Sequence, residues 1–189
     1  MSNALKKTFL SEDEYLEGEG LAQQRSEFVR GEVYAMTGGS ARHNRISLNL
    51  SMRLDAASRG TPCEVFMADM KVRLPAHQAF YYPDVFVACR PDDDHPLYRS
   101  APCLIAEVLS PSTAKIDQRE KWQHYRDIPE LRYYLMIDSE ARRVRVLSRD
   151  GDGWLEQELG EDDLVTIECG GMRVLLGFDD LYDRTGLEP

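Results

Sequence analysis

Short apolar runs, some alternating with polar residues and some unbroken, fill most of this chain, and turns rich in Gly, Pro, Asp and Ser separate them. The runs Tyr81-Tyr82-Pro83-Asp84-Val85-Phe86-Val87-Ala88 and Leu104-Ile105-Ala106-Glu107-Val108-Leu109 predict two apolar strands, each carrying one acid. Glu27-Phe28-Val29 and Val33-Tyr34-Ala35-Met36 flank Arg30-Gly31, which predicts a tight hairpin. A second hairpin is predicted around Asp150-Gly151-Asp152-Gly153, between Arg142–Leu147 and Trp154–Leu159. Glu64–Leu74, Leu131–Ile137 and Met172–Leu176 complete the strands, the last closing the sheet. Ile46, Leu50, Leu54 and Ala57 recur at helical spacing, predicting a helix over 40–59 that stops at Gly60. A second helix spans 117–128, opened by an Asp117/Glu120 capping box and ended before Pro129. Ser11 and Glu14 form another capping box, starting a short helix that Gly18 and Gly20 end, and Phe178–Leu181 adds a last helical turn. The pattern is that of an α/β fold, a mixed sheet flanked by helices, in a single domain over residues 1–189.

The acids in the two apolar strands change this picture from architecture to chemistry. A carboxylate among aliphatic side chains is costly to bury unless something compensates its charge. Strand alternation puts Asp84 on a face with Phe86, and Glu107 on a face with Ile105 and Leu109. If the strands are neighbours in register, the two carboxylates converge, and their natural partner is a hard divalent cation such as Mg²⁺. The alternative is that each acid pairs separately with an Arg or Lys. Lys71 and Arg73 share a face with Asp69, the pattern of a salt-bridged solvent face, and Asp92-Asp93-Asp94 lies in a loop without the ligand spacing of a calcium site. Thr37-Gly38-Gly39-Ser40 is either a turn or a set of backbone N–H groups open to phosphate.

At 189 residues, 42% hydrophobic and 30% charged, the chain can bury a substantial core and is not composed like a disordered segment. Its net charge of −10 argues against strong general attraction to nucleic-acid phosphates, though a bound cation and a local basic patch suffice for a short stretch of backbone. No apolar run is long enough to span a bilayer, and residues 1–7 lack a signal-peptide core. Cys63, Cys89, Cys103 and Cys169 are scattered, without C-x-x-C or zinc spacing; Cys89 and Cys103, at or near strand ends, are expected as small, partly buried thiols, which fits a reducing cytoplasm.

The run Pro83-Asp84, Ala106-Glu107-Val108-Leu109-Ser110-Pro111-Ser112-Thr113, then Asp117, Lys121 and Tyr125, resembles the putative restriction endonuclease family of the PD-(D/E)XK nuclease superfamily. The likeness takes in Arg25-Ser26-Glu27-Phe28-Val29-Arg30-Gly31-Glu32 and His43-Asn44-Arg45-Ile46 upstream, and Pro129–Asp138 downstream, so it covers a core of about residues 25–147. It implies a restriction-endonuclease-like sheet and hydrolysis of phosphodiester bonds in DNA. Asp84, Glu107 and the carbonyl of Val108 would bind Mg²⁺ or Mn²⁺. Leu109 stands where the superfamily pattern asks for lysine, and the resemblance moves that role to Lys121 in the following helix. Glu27 is either a third acid of the centre or a solvated strand carboxylate, and His43 either a functional or a surface histidine. The resemblance is also compatible with a homodimer, and with a nuclease fold retained as a DNA- or protein-binding module with a weakened site.

Overall fold

The structure is a computed structural model that describes residues 9–36, 38–110 and 117–188. Helix α1 (Glu12–Leu21) starts at the expected capping box: the Ser11 hydroxyl accepts from the Glu14 N–H, and the Glu14 side chain accepts from the Ser11 N–H. It runs through Gly18 and ends one residue after Gly20; Glu19 between them accepts from the Ser26 N–H at 2.9 Å and from the Tyr82 hydroxyl at 2.9 Å. Strands β1 (Ser26–Val29) and β2 (Glu32–Ala35) form the predicted hairpin, whose two turn residues both take positive φ, 49° at Arg30 and 87° at Gly31. Helix α2 (Ala41–Ser58) follows, capped by Ser40, and buries Ile46, Leu50 and Leu54.

The next two stretches differ from expectation in the same way. Residues 64–74 are two strands, β3 (Glu64–Met67) and β4 (Lys71–Leu74), and residues 79–88 are β5 (Ala79–Tyr81) and β6 (Val85–Ala88). In each case the chain leaves one sheet and enters another, so an uninterrupted apolar run conceals a corner. At the second corner Pro83, with no N–H to give a ladder, separates Tyr82 from Asp84. β7 (Tyr98–Arg99) and β8 (Pro102–Leu109) precede α3 (Asp117–Tyr125), whose side chains are described from Glu120 on, so the expected Asp117/Glu120 capping box lies outside the described side chains. β9 (Tyr133–Asp138), β10 (Val144–Asp150), β11 (Gly153–Glu158), β12 (Val165–Cys169), β13 (Met172–Leu176) and α4 (Phe178–Tyr182) end the chain.

A six-stranded sheet in the order β11-β10-β9-β8-β6-β3 is mixed, with β8 and β9 parallel and the other pairs antiparallel. A five-stranded sheet runs β2-β1-β5-β4-β7. β13 does not close either sheet as expected; it pairs with β12 in a separate two-stranded ribbon. One face of the six-stranded sheet (Val85, Val87, Leu104, Ala106, Leu135) packs with Ile46, Leu50 and Leu54 of α2 and with β12–β13. The opposite face (Phe86, Ile105, Tyr134) packs with Tyr125 of α3 and with Val72 and Tyr81 of the five-stranded sheet. Glu107 belongs to this second face, between the two sheets.

The cysteines are not separate thiols. Cys63 pairs with Cys89 and Cys103 with Cys169, leaving no free cysteine. The ladder explains the first bridge: Glu64 lies opposite Ala88, so the residues one step further out, 63 and 89, also face each other. Two further surface expectations resolve differently. Lys71 is buried, its ammonium 5.1 Å from the centre of the Tyr82 ring, while Arg73 reaches Glu12 of α1 at 2.8 Å. Asp93 is a loop cap, accepting from the N–H groups of Ser100 and Ala101. No helix among the described residues is long and apolar enough to cross a membrane.

Candidate active site

Strand register brings the two acids together. β6 pairs with β8 antiparallel, with Val85 opposite Ala106, so Asp84 and Glu107 are the next facing positions. Asp84 Oδ2 accepts the Val108 N–H at 2.7 Å, which ties the first carboxylate to the backbone beside the second. Asp84 Oδ1 lies 2.8 Å from His43 Nε2, so the histidine left open by sequence joins the cluster. The Asp84 hydrogen bond raises the His43 pKa, against the opposing effect of burial.

Glu107 is deeply buried and accepts a hydrogen bond from the Tyr125 hydroxyl at 3.0 Å. Burial is the largest influence on its carboxyl, Lys121 counters it and Asp84 adds to it; the net effect is a pKa raised from 4.5 to about 8. Lys121 Nζ donates to Glu27 Oε1 at 2.7 Å and stands 3.8 Å from Glu107 Oε1. Its ammonium also lies 5.3 Å from the centre of the Tyr81 ring. Glu27 Oε1 accepts the Tyr82 N–H as well, so Glu27 is neither a solvated strand residue nor remote. Glu27, His43, Asp84, Glu107, Val108 and Lys121 all line one cavity of about 550 Å³.

Two neighbours were not foreseen in these positions. Tyr125, four residues after Lys121, delivers its hydroxyl to Glu107. Tyr134 also lines the cavity, stacked on Trp122 with ring centres 5.2 Å apart, and its buried hydroxyl has no hydrogen-bond partner among the described residues. The apolar strand Leu131–Ile137 gave no signal for it, because a tyrosine there reads as core. Ser112, Thr113 and Lys115 lie outside the described residues.

The donor set suits a hard divalent cation. Two carboxylates meet beside a backbone carbonyl, and the raised pKa of Glu107 is the mark of a buried acid with too little positive charge near it. Among the described residues no three His, Cys, Asp or Glu side chains form a ready cage for an ion.

The chain is similar to other proteins over most of its length. The chain is 39% identical over 170 residues to “Uncharacterized protein sll1609” of Synechocystis sp. (strain ATCC 27184 / PCC 6803 / Kazusa), covering 87% of this chain and 95% of the relative. It is 34% identical over 165 residues to “Uncharacterized protein slr1290” of the same organism, covering 86% and 87%. Its fold matches the crystal structure of “a putative nuclease belonging to DUF820” from Anabaena variabilis ATCC 29413 with a TM-score of 0.73, at 15% identity, over 93% of this chain and 99% of that one. The mixed α/β arrangement is thus the restriction-endonuclease-like one expected from the motifs. A family model described as “Putative restriction endonuclease” fits residues 12–172, and the chain belongs to that family, Uma2.

Proposed function

We propose that the protein is a divalent-metal-dependent endonuclease that hydrolyses phosphodiester bonds in DNA. The observation that carries this reading is the meeting of Asp84, Glu107 and the Lys121 ammonium in one cavity, at the mouth of paired strands β6 and β8. Asp84, Glu107 and the Val108 carbonyl would hold Mg²⁺ or Mn²⁺, which when bound supplies a water of lowered pKa and positive charge beside the phosphate. Lys121, held by Glu27, is placed to orient that water or to neutralise charge that grows on the phosphate oxygens. Tyr125 fixes the rotamer of Glu107, and the Val108 N–H fixes that of Asp84. Lys121 supplies from α3 the cationic group that Leu109 cannot supply from β8.

The rival reading is a nuclease fold kept as a DNA- or protein-binding module. It is favoured by the internal pairing of both carboxylates, Asp84 with His43 and the Val108 N–H, Glu107 with Tyr125. Isothermal titration with Mn²⁺ and Mg²⁺ separates the two. The endonuclease reading expects binding by the wild type that is lost in Asp84→Ala; a wild type that binds neither ion supports the module.

A further inference from the structure

We infer that His43 is a nitrogen ligand of the bound ion, and that the site therefore selects a first-row transition ion such as Mn²⁺ over Mg²⁺. This rests on the metal-dependent reading above and deepens it. Four observations support it. His43 Nε2 and Asp84 Oδ1 are 2.8 Å apart. Two adjacent ligands of an octahedral ion with bonds of about 2.1 Å are separated by about 3 Å, so these two atoms stand at the spacing one ion requires after a turn of the ring. The imidazole also meets the backbone of Val108, whose carbonyl is the remaining proposed donor.

The ring is aimed at the cavity from behind. His43 sits in the first turn of α2, its N–H bonded to the Ser40 hydroxyl at 3.1 Å. Gly39 then passes so close that a Cβ there would lie 2.8 Å from His43 Cδ2. A side chain at position 39 would push the ring off its present line, which accounts for a glycine at this point of the turn. Finally, the His43 side chain is 21% exposed and lines the same cavity as Glu107, so Nε2 faces the space an ion would enter.

As a ligand, His43 would be a neutral imidazole with its one proton on Nδ1 and its Nε2 lone pair free for the ion, any Nε2 proton having gone to solvent. Glu107, on the same cavity wall, would act on that ion through a bound water. An oxygen-only site has little basis for distinguishing Mg²⁺ from Mn²⁺, whereas imidazole nitrogen favours first-row transition ions. If His43 served only to orient Asp84 through a hydrogen bond, both ions would depend on it equally.

The test is electron spin echo envelope modulation on Mn²⁺ bound to the full-length wild type, together with Mn²⁺ and Mg²⁺ affinities of His43→Gln. The expected result is ¹⁴N modulation in the wild type and its loss in His43→Gln. Glutamine offers an amide oxygen, so the variant's Mn²⁺-over-Mg²⁺ preference should fall by about tenfold while Mg²⁺ binding persists. Mn²⁺ bound without nitrogen coupling, or an unchanged preference in His43→Gln, overturns the inference and leaves the endonuclease reading standing. A wild type that binds no Mn²⁺ overturns both. The wild-type spectrum decides the matter even if the variant does not fold.

Discussion

Glu107 should make the metal-free protein less stable as pH rises, and Glu107→Gln should remove that dependence. Burial raises the folded-state pKa of this carboxyl to about 8, whereas its ordinary value is 4.5. A group with the higher pKa in the native state binds more protons there, so its contribution favours folding at low pH. Stability therefore falls as pH climbs from about 4.5 to about 8 and is level beyond. At about 1.4 kcal/mol per pH unit, that interval sets a ceiling of roughly 5 kcal/mol. Relaxation and water penetration reduce the cost of a buried charge, so a loss of about 2 kcal/mol or more is expected.

Glutamine keeps the volume of the side chain and an acceptor for the Tyr125 hydroxyl, while it removes the titrating proton. The assay is urea unfolding in EDTA from pH 5 to pH 8.5, followed by tryptophan fluorescence. Trp122 reports directly, because it stacks on Tyr134 beside the cavity. The variant and wild type should be nearly equal at pH 5, and the variant should be the more stable at pH 8.5. Taking the difference removes every pH dependence that does not involve Glu107 or its neighbours. A difference that does not change with pH would refute the reasoning, since it would mean that Glu107 is either solvated or neutralised by Lys121 alone.

The other substitutions probe single contacts. Lys121→Met removes an ammonium 2.7 Å from Glu27 and 3.8 Å from Glu107. Metal binding should persist while cleavage falls by about 100-fold, and equal cleavage would reduce Lys121 to a structural ion pair. Glu27→Gln removes the carboxylate 2.7 Å from the Lys121 ammonium and should weaken metal affinity or cleavage by about 10- to 100-fold, measured by titration and by turnover. The two disulfides predict no alkylation of the unreduced, denatured protein. Reduction should lower stability by about 2–4 kcal/mol per bridge, whereas four alkylated thiols would contradict the pairing.

The convergence of Asp84 and Glu107 was legible because both are single acids at matched points of apolar strands, and side-chain alternation fixes the face once the strands pair. The hairpin through Arg30-Gly31 and the Ser40-capped helix were legible for similarly local reasons. The corners at Tyr82–Asp84 and Ala68–Met70 were not, since an apolar run looks the same whether the strand continues or changes sheets. Gly20 lies one residue from the end of α1, whereas Gly18 misled, because the next residue, Glu19, is held in the helix by Ser26 and Tyr82. The cysteine pairs bridge 26 and 66 residues, and only the strand order brings them together. The resemblance placed Lys121 at the site before any geometry did. It could not say which carboxylates the ammonium meets, because that depends on how α3 lies across β1 and β8.

The most direct test of the proposed activity is conversion of supercoiled plasmid by the full-length protein in Mn²⁺, compared with Asp84→Ala. The wild type should produce nicked or linear DNA, stopped by EDTA, and the variant should leave the plasmid intact while retaining the wild-type circular dichroism spectrum. A wild type that does not cut, or an Asp84→Ala protein that cuts as well as wild type, would contradict the claim that this cavity is a metal-dependent nuclease centre.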